Sequence, residues 1–179
     1  ISSSTIEKQG AKKVLENFQG ICVPGGFGSR GIEGIIQAVE YARKKKIPYL
    51  GLCYGMQLAV VEFARNVLRL KTAHTSEVNP GAKHPVIHIM PEQEKLLLAR
   101  DYGATMRLGA WDCLITRGTK TEKAYLKSEW IKATGLAKIS ERHRHRYEFN
   151  NSYREKLEDK GMIISGTTPD GQLVEIIEL

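Results

Sequence analysis

Hydrophobic positions along this chain fall into short runs separated by glycine, proline or charge, and the spacing within each run sets what it predicts. Ile6, Val14, Leu15 and Phe18 are the apolar positions of a stretch that reads as a helix over residues 6–18. Residues 20–23 form a short buried strand, stopped by Pro24-Gly25-Gly26-Phe27-Gly28. Ile35, Ile36, Val39 and Ala42 recur at helical spacing and predict a helix over 35–46. It closes on Arg43-Lys44-Lys45-Lys46, where cations suit the negative end of the helix dipole. A strand over 47–50, a tight turn and a helix over 56–67 follow. Helix and strand in this alternation predict an α/β fold with a parallel sheet.

Further along, the pattern is less regular. Residues 74–77 are polar and read as a loop. Residues 85–91 read as a strand bounded by prolines, 103–115 take on strand character, and 122–127 read as a short helix. Residues 142–149 alternate strictly, as a half-exposed strand does. A polar helix over 151–160, capped by Gly161, leads into two strands, 162–165 and 173–179, joined by the turn Thr168-Pro169-Asp170-Gly171.

The chemistry concentrates at the second strand-to-helix turn, Gly51-Leu52-Cys53-Tyr54-Gly55. Glycine two residues on either side of a central cysteine is the nucleophile-elbow pattern with sulfur in place of oxygen. So sharp a turn strains the central residue and brings its neighbours too close for side chains. The thiol then stands over the first turn of a helix, where unpaired N–H groups and the dipole favour a thiolate. The Tyr54 amide is placed to stabilise an oxyanion, and the Gly25-Gly26 amides, one helix-length upstream on the same sheet edge, are placed to complete that site. A structural cysteine buried between a core strand and a core helix fits the bare pattern equally well.

Composition narrows the field. With 179 residues, 41% hydrophobic and 26% charged, the chain reads as one soluble globular domain. No apolar run reaches the length of a membrane span, and Cys22, Cys53 and Cys113 suit reduced cytoplasmic thiols rather than a disulfide framework. The net charge of +7 raises nucleic-acid binding, but no aromatic residues alternate with the basic ones as a base-stacking surface requires. The histidines and cysteines lack metal-ligand spacing. A cysteine nucleophile needs a base, and the in-chain histidines are His74, His84, His88, His143 and His145. The last two sit among Arg142, Arg144 and Arg146, whose charges would depress an imidazole pKa. That basic run is either an anion-binding strand or a solvated strand edge.

Several separated strings resemble the class I (triad) glutamine amidotransferases: the glycine loop at 24–28, Arg30-Gly31-Ile32-Glu33-Gly34, the elbow through Met56-Gln57, and Thr75-Ser76-Glu77. Thr105-Met106-Arg107-Leu108-Gly109, residues 141–150 and residues 172–178 are similar to the glutaminase domains of the CTP synthases, and the likeness spans nearly the whole chain. The resemblance implies a mostly parallel central sheet flanked by helices, flavodoxin-like in its three layers, with residues 1–179 a glutaminase domain incomplete at both ends. It implies that Cys53 forms a γ-glutamyl thioester, that Gly26 and Tyr54 supply oxyanion N–H groups, and that Gly55, Met56 and Gln57 line the L-glutamine pocket. Glu77 would face the substrate's α-amino group and Arg146 its α-carboxylate. Arg30, Gly31 and Glu33 correspond to a lid through which GTP activates the family. The resemblance further implies an N-terminal synthase domain using ATP and magnesium, no cofactor or metal in this domain, and a cytoplasmic homotetramer without nucleic-acid or membrane partners. Three features depart from the family: Tyr54 stands where leucine is usual, the His and Glu of the triad would lie beyond Leu179, and the strand and helix that usually open the domain would lie upstream of Ile1. A non-catalytic binding module on the same fold, or a glutaminase serving another synthetase, are the other readings.

Overall fold

A computed structural model describes residues 1–89, 106–125 and 138–179; expectations falling on 90–105 and 126–137 lie outside the described residues. The chain divides into two compact units, Ile1–His88 and Ile89–Leu179.

The first unit runs α1 (Ser3–Gln9), α2 (Ala11–Leu15), β1 (Ile21–Val23), α3 (Ile32–Lys45), β2 (Tyr49–Gly51), α4 (Tyr54–Asn66), β3 (Ala73–Thr75) and β4 (His84–Ile89). β1 and β2 pair in parallel, with Ile21, Cys22 and Val23 opposite Tyr49, Leu50 and Gly51. β3 and β4 are also parallel, with a register shift between His74 and Thr75. The parallel pairing expected from the alternation is therefore present.

Four local expectations change. The helix over 6–18 is two short helices, because Gly10 breaks it with φ +84° and ψ 142°. Ile6 and Leu15 are buried with Ala38, but Phe18 falls past the second helix and is 48% exposed. Only Val23 of β1 is buried. The polar stretch at 74–77 begins as a strand: Thr75 is fully buried, and the Ser76 amide donates to the Ile87 carbonyl at 2.9 Å. Polarity hid a strand whose pairing partner lies a dozen residues ahead.

α3 starts three residues earlier than its aliphatic spacing suggested. Gly31 takes the left-handed conformation at its N-cap, and Ile32 and Gly34 are buried. A Cβ at Gly34 would overlap the Ser3 carbonyl, so the glycine lets α1 lie close against α3. Arg43 does more than complement a dipole. Its Nε and Nη2 donate to the fully buried Glu62 carboxylate at 2.9 and 2.6 Å, pinning α3 to α4. Without that partner Glu62 would be an uncompensated buried charge.

The second unit contains β5 (Arg107–Ile115), α5 (Lys120–Tyr125), β6 (Lys138–His145), β7 (Tyr147–Phe149), a 3₁₀ turn (Asn151–Tyr153), α6 (Arg154–Glu158), β8 (Ile163–Thr167) and β9 (Val174–Glu178). Its four-stranded sheet has the order β6-β5-β8-β9, antiparallel throughout. Cys113, Ile115 and Ile139 form the core, packed by Tyr125 and Ile176. The strand expected over 142–149 is interrupted at Arg146, between β6 and β7. The helix expected over 151–160 shortens to a 3₁₀ turn and five helical residues, because the Asn150 side chain accepts from the Ser152 amide and sets a separate entry turn. Gly161 adopts φ +98° just after it.

Candidate active site

The elbow is built from backbone clashes that only glycine avoids. Cys53 sits at φ 52° and ψ −102°, outside the regions an L-residue ordinarily occupies, at the N-cap of the thirteen-residue helix α4. A Cβ at Gly51 would stand 2.6 Å from the Gly55 carbonyl carbon, and one at Gly55 would stand 2.5 Å from the Val23 carbonyl oxygen. The Val23 oxygen also accepts from the Leu52 amide at 2.9 Å, so β1 holds the turn directly. The Tyr49 hydroxyl donates to the Gly55 carbonyl at 2.9 Å, and burial raises its pKa well above the ordinary phenol value. The turn is thus braced from the strand before it and the strand beside it, which is how a strained dihedral persists.

Cys53 is exposed, as a nucleophile must be and a structural cysteine need not be. Of the two readings of the bare pattern, burial between strand and helix is therefore excluded. Around it, Tyr54 and Gly55 are buried, Met56 is half-buried and Gln57 is 5% exposed. The Tyr54 amide opens α4 and has no carbonyl one turn earlier in the helix to bond.

The glycine loop after β1 comes to the same place. A Cβ at Gly25 would lie 3.7 Å from Cys53 Cβ, and one at Gly26 would lie 3.4 Å from the Tyr54 ring. Sequence reasoning brought these two loops to one sheet edge. It did not foresee the ties between them. The Tyr54 hydroxyl donates to the Gly28 carbonyl at 2.5 Å, and the Gly28 amide donates to Glu77 Oε1 at 3.1 Å. Burial, with a smaller contribution from the Glu77 charge, pushes the Tyr54 phenol up to about 12, so it remains a donor. No periodicity signals a bond spanning 49 residues to a backbone amide.

Glu77, Gly26, Tyr54, Gly55, Met56, Gln57 and Cys53 all belong to the first unit, as do the three residues of the expected lid. Of those three, Arg30 is exposed, Gly31 is buried at φ +73°, and Glu33 lies in the first turn of α3. Both oxygens of Glu33 accept from Arg65 Nη1 at 2.9 Å, and Arg65 Nε donates to the Ala73 carbonyl at 2.7 Å. The pair is half-exposed, so it ties α3 to α4 and β3 at modest energetic value.

Arg146 belongs to the second unit, half-buried at the break between β6 and β7. The same unit holds an unforeseen buried cluster. Arg107, 3% exposed in its side chain, makes a two-pronged ion pair with Glu175 at 2.6 and 2.8 Å and lies 3.3 Å from Glu148. Its Nη2 also lies 2.6 Å from His143 Nδ1. A guanidinium cannot accept, so that nitrogen of His143 is the acceptor and carries no proton. The arginines flanking His143 along its strand were expected to govern it; the one that meets it comes from the neighbouring strand β5. His74 is engaged too: its Nδ1 accepts from the Thr75 amide at 2.9 Å, and burial first, then the Arg65 charge, lowers its pKa.

A cysteine on a glycine-flanked strand-to-helix elbow, beside a second glycine loop, defines an α/β protein with an exposed thiol at the tip of the turn. The whole chain narrows the class. The family model for glutamine amidotransferase class-I matches residues 2–179, and the chain belongs to that family. It has the class-I fold. Curated relatives include the CTP synthases of Carboxydothermus hydrogenoformans, 55% identical over the full 179 residues, and of Listeria monocytogenes, 51% identical over the same span. The chain spans about a third of the length of these relatives, 31% in each case. Among solved structures, the glutaminase domain of Trypanosoma brucei CTPS with bound acivicin superposes with a TM-score of 0.85 at 38% identity, covering 99% of this chain and 66% of that one. Among the described residues no helix is long and apolar enough to cross a membrane.

Proposed function

We propose that residues 1–179 act as the glutaminase domain of a CTP synthase, releasing ammonia from L-glutamine for the amination of UTP. The observation that carries this reading is the exposed Cys53 at a positive φ, with the Tyr54 amide and the glycine loop beside it. Cys53 Sγ attacks the side-chain amide carbon of glutamine and a C–S bond forms. The carbonyl oxygen becomes an oxyanion, which the Tyr54 and Gly26 amides stabilise; one such donor is worth roughly 10²–10³ in rate. The C–N bond then breaks, nitrogen takes a proton and leaves as ammonia, and a γ-glutamyl thioester remains. Water adds to the thioester carbon, the C–S bond breaks, and glutamate departs.

Gln57 and the flanking Gly55 and Met56 line the pocket in this reading. Glu77 meets the substrate ammonium, since a zwitterionic head needs an anion to receive it. We assign the general base and its orienting carboxylate to positions outside these 179 residues. Both His74 and His143 already use Nδ1 in bonds to their own surroundings. Similarity to the CTP synthases further supports a cytoplasmic homotetramer with an N-terminal synthase domain that uses ATP and magnesium, and GTP activation through the segment holding Arg30, Gly31 and Glu33.

The test is ammonia release by the complete natural protein, with and without GTP, beside Cys53→Ser. Activity that requires Cys53 and rises with GTP is the expected result. A folded, complete protein that releases no ammonia would transfer the assignment to a binding module on the same fold.

A further inference from the structure

We infer that the Tyr54 side chain is a positioning residue that holds the Pro24–Gly28 glycine loop in register with Cys53. The inference rests on the glutaminase reading for its catalytic consequence, but its structural content stands apart from it. Among the described residues the loop has little else of its own to anchor it. Residues 24–27 are exposed, Phe27 at the tip is 89% exposed, and three of the five residues are glycines. A chain of that composition has wide conformational freedom, and placing one amide against a reacting atom then costs entropy.

Tyr54 supplies the missing constraint at two points. Tyr54 is 4% exposed, and its ring lies beside Gly26, where a Cβ would make ordinary contact with Cδ1 at 3.4 Å. Its hydroxyl donates to the Gly28 carbonyl at 2.5 Å. The amide of the same glycine donates to Glu77. Gly28 is therefore gripped from both sides at φ +80°, and Gly26, two residues before it, packs beside the same ring. One residue thus serves both halves of the anion site: its amide opens α4 next to Cys53, and its side chain sets the facing loop.

The two grips respond differently to substrate. Glu77 is also the group assigned to the substrate ammonium, so its bond to Gly28 is shared or surrendered when glutamine binds. The Tyr54 bond involves no substrate group and persists. Losing the hydroxyl should therefore act on transition-state stabilisation and leave ground-state binding alone.

The experiment compares wild type, Tyr54→Phe and Tyr54→Leu in the complete natural protein. Glutamine hydrolysis gives kcat and KM, and iodoacetamide alkylation, read at the Cys53 peptide by mass spectrometry so that the exposed Cys22 is counted apart, reports the Cys53 thiol without needing an oxyanion site. Amide hydrogen exchange across residues 25–29 reports the loop directly. With one hydrogen bond removed, Tyr54→Phe should lower kcat by about tenfold, leave KM within about twofold, and speed loop exchange by about tenfold. The alkylation rate and the exchange of residues 58–64 should not change. Unchanged kcat with unchanged loop exchange overturns the proposal. A raised KM at constant kcat also overturns it, because the hydroxyl would then be a binding contact. A changed alkylation rate overturns it in favour of a general role in the elbow. If wild type releases no ammonia, the glutaminase reading falls and the exchange measurement alone decides: lost protection upholds the clamp, retained protection ends it.

Discussion

At the scale of single residues, the elbow is the part of this molecule most directly written in the chain. Glycine at 51 and 55 was readable as a steric demand before any coordinates, and the clash distances show how little room there is. A methyl group at Gly55 would press on the carbonyl of Val23, which is backbone and cannot swing aside. Gly55→Ala should therefore destabilise the protein by about 1–3 kcal/mol, as overpacking against fixed atoms does. It should also abolish Cys53-dependent ammonia release, since the turn must open to admit the methyl. Thermal denaturation and the hydrolysis assay check both; an active, undisturbed alanine variant would mean that the strand and elbow can separate freely. The partners of polar side chains were not readable in the same way. Glu33 and Arg65 lie 32 residues apart, and Gly28 and Glu77 lie 49 apart. Nothing local distinguishes a carboxylate that will meet a backbone amide from one that stays in water.

At the scale of elements, the first unit followed its periodicity and the second followed its pairing. Helices α3 and α4 carry their own hydrophobic stripes, so they were visible. α5 is different: six residues long, it is held from the far end of the chain. Glu178 at the end of β9 accepts from the Lys120 amide at 3.1 Å and from the Thr121 amide and hydroxyl, each at 2.6 Å. A carboxylate from a distant strand thus does the work of an N-cap. Burial alone would raise the Glu178 pKa, but the hydrogen bonds from Thr121 and Lys120 outweigh it and hold the group below the ordinary carboxylate value. A group depressed in the folded state contributes stability above its unfolded pKa of about 4.3 and loses it as pH falls through the folded value. Glu178→Ala should cost about 0.5–1 kcal/mol at neutral pH, a modest figure for a partly solvated cap. The gap between variant and wild type should narrow progressively as pH falls below the unfolded value of about 4.3. Denaturant melts at pH 7 and at a series of acidic pH values test it, and a gap that does not narrow at all as pH falls would assign the loss to packing rather than to the carboxylate.

For the whole molecule, what the sequence hid is the architecture of the second unit. Its antiparallel order, β6-β5-β8-β9, joins residues far apart along the chain, and its buried Arg107 cluster draws partners from three strands. Charged residues in a strand read as an exposed edge, so the alternation at 142–149 suggested solvent where His143 instead meets Arg107. That correction bears on catalysis. His143 is a natural candidate for a base by residue type alone, yet its Nδ1 is committed to a guanidinium, and protonating it would set two donors face to face. His74 is committed likewise to a backbone amide. If the base lies outside these residues, as proposed above, the 179 residues expressed alone should keep an alkylatable Cys53 while lacking general-base assistance, worth roughly 10²–10⁴ in rate. Ammonia release should fall by about that factor relative to the complete protein, with iodoacetamide labelling of the Cys53 peptide, scored apart from that of the exposed Cys22, retained as the sign that the elbow is intact. Hydrolysis by these residues alone at the rate of the complete protein would place the base among the in-chain histidines, and His84 and His88 would then be the first to substitute.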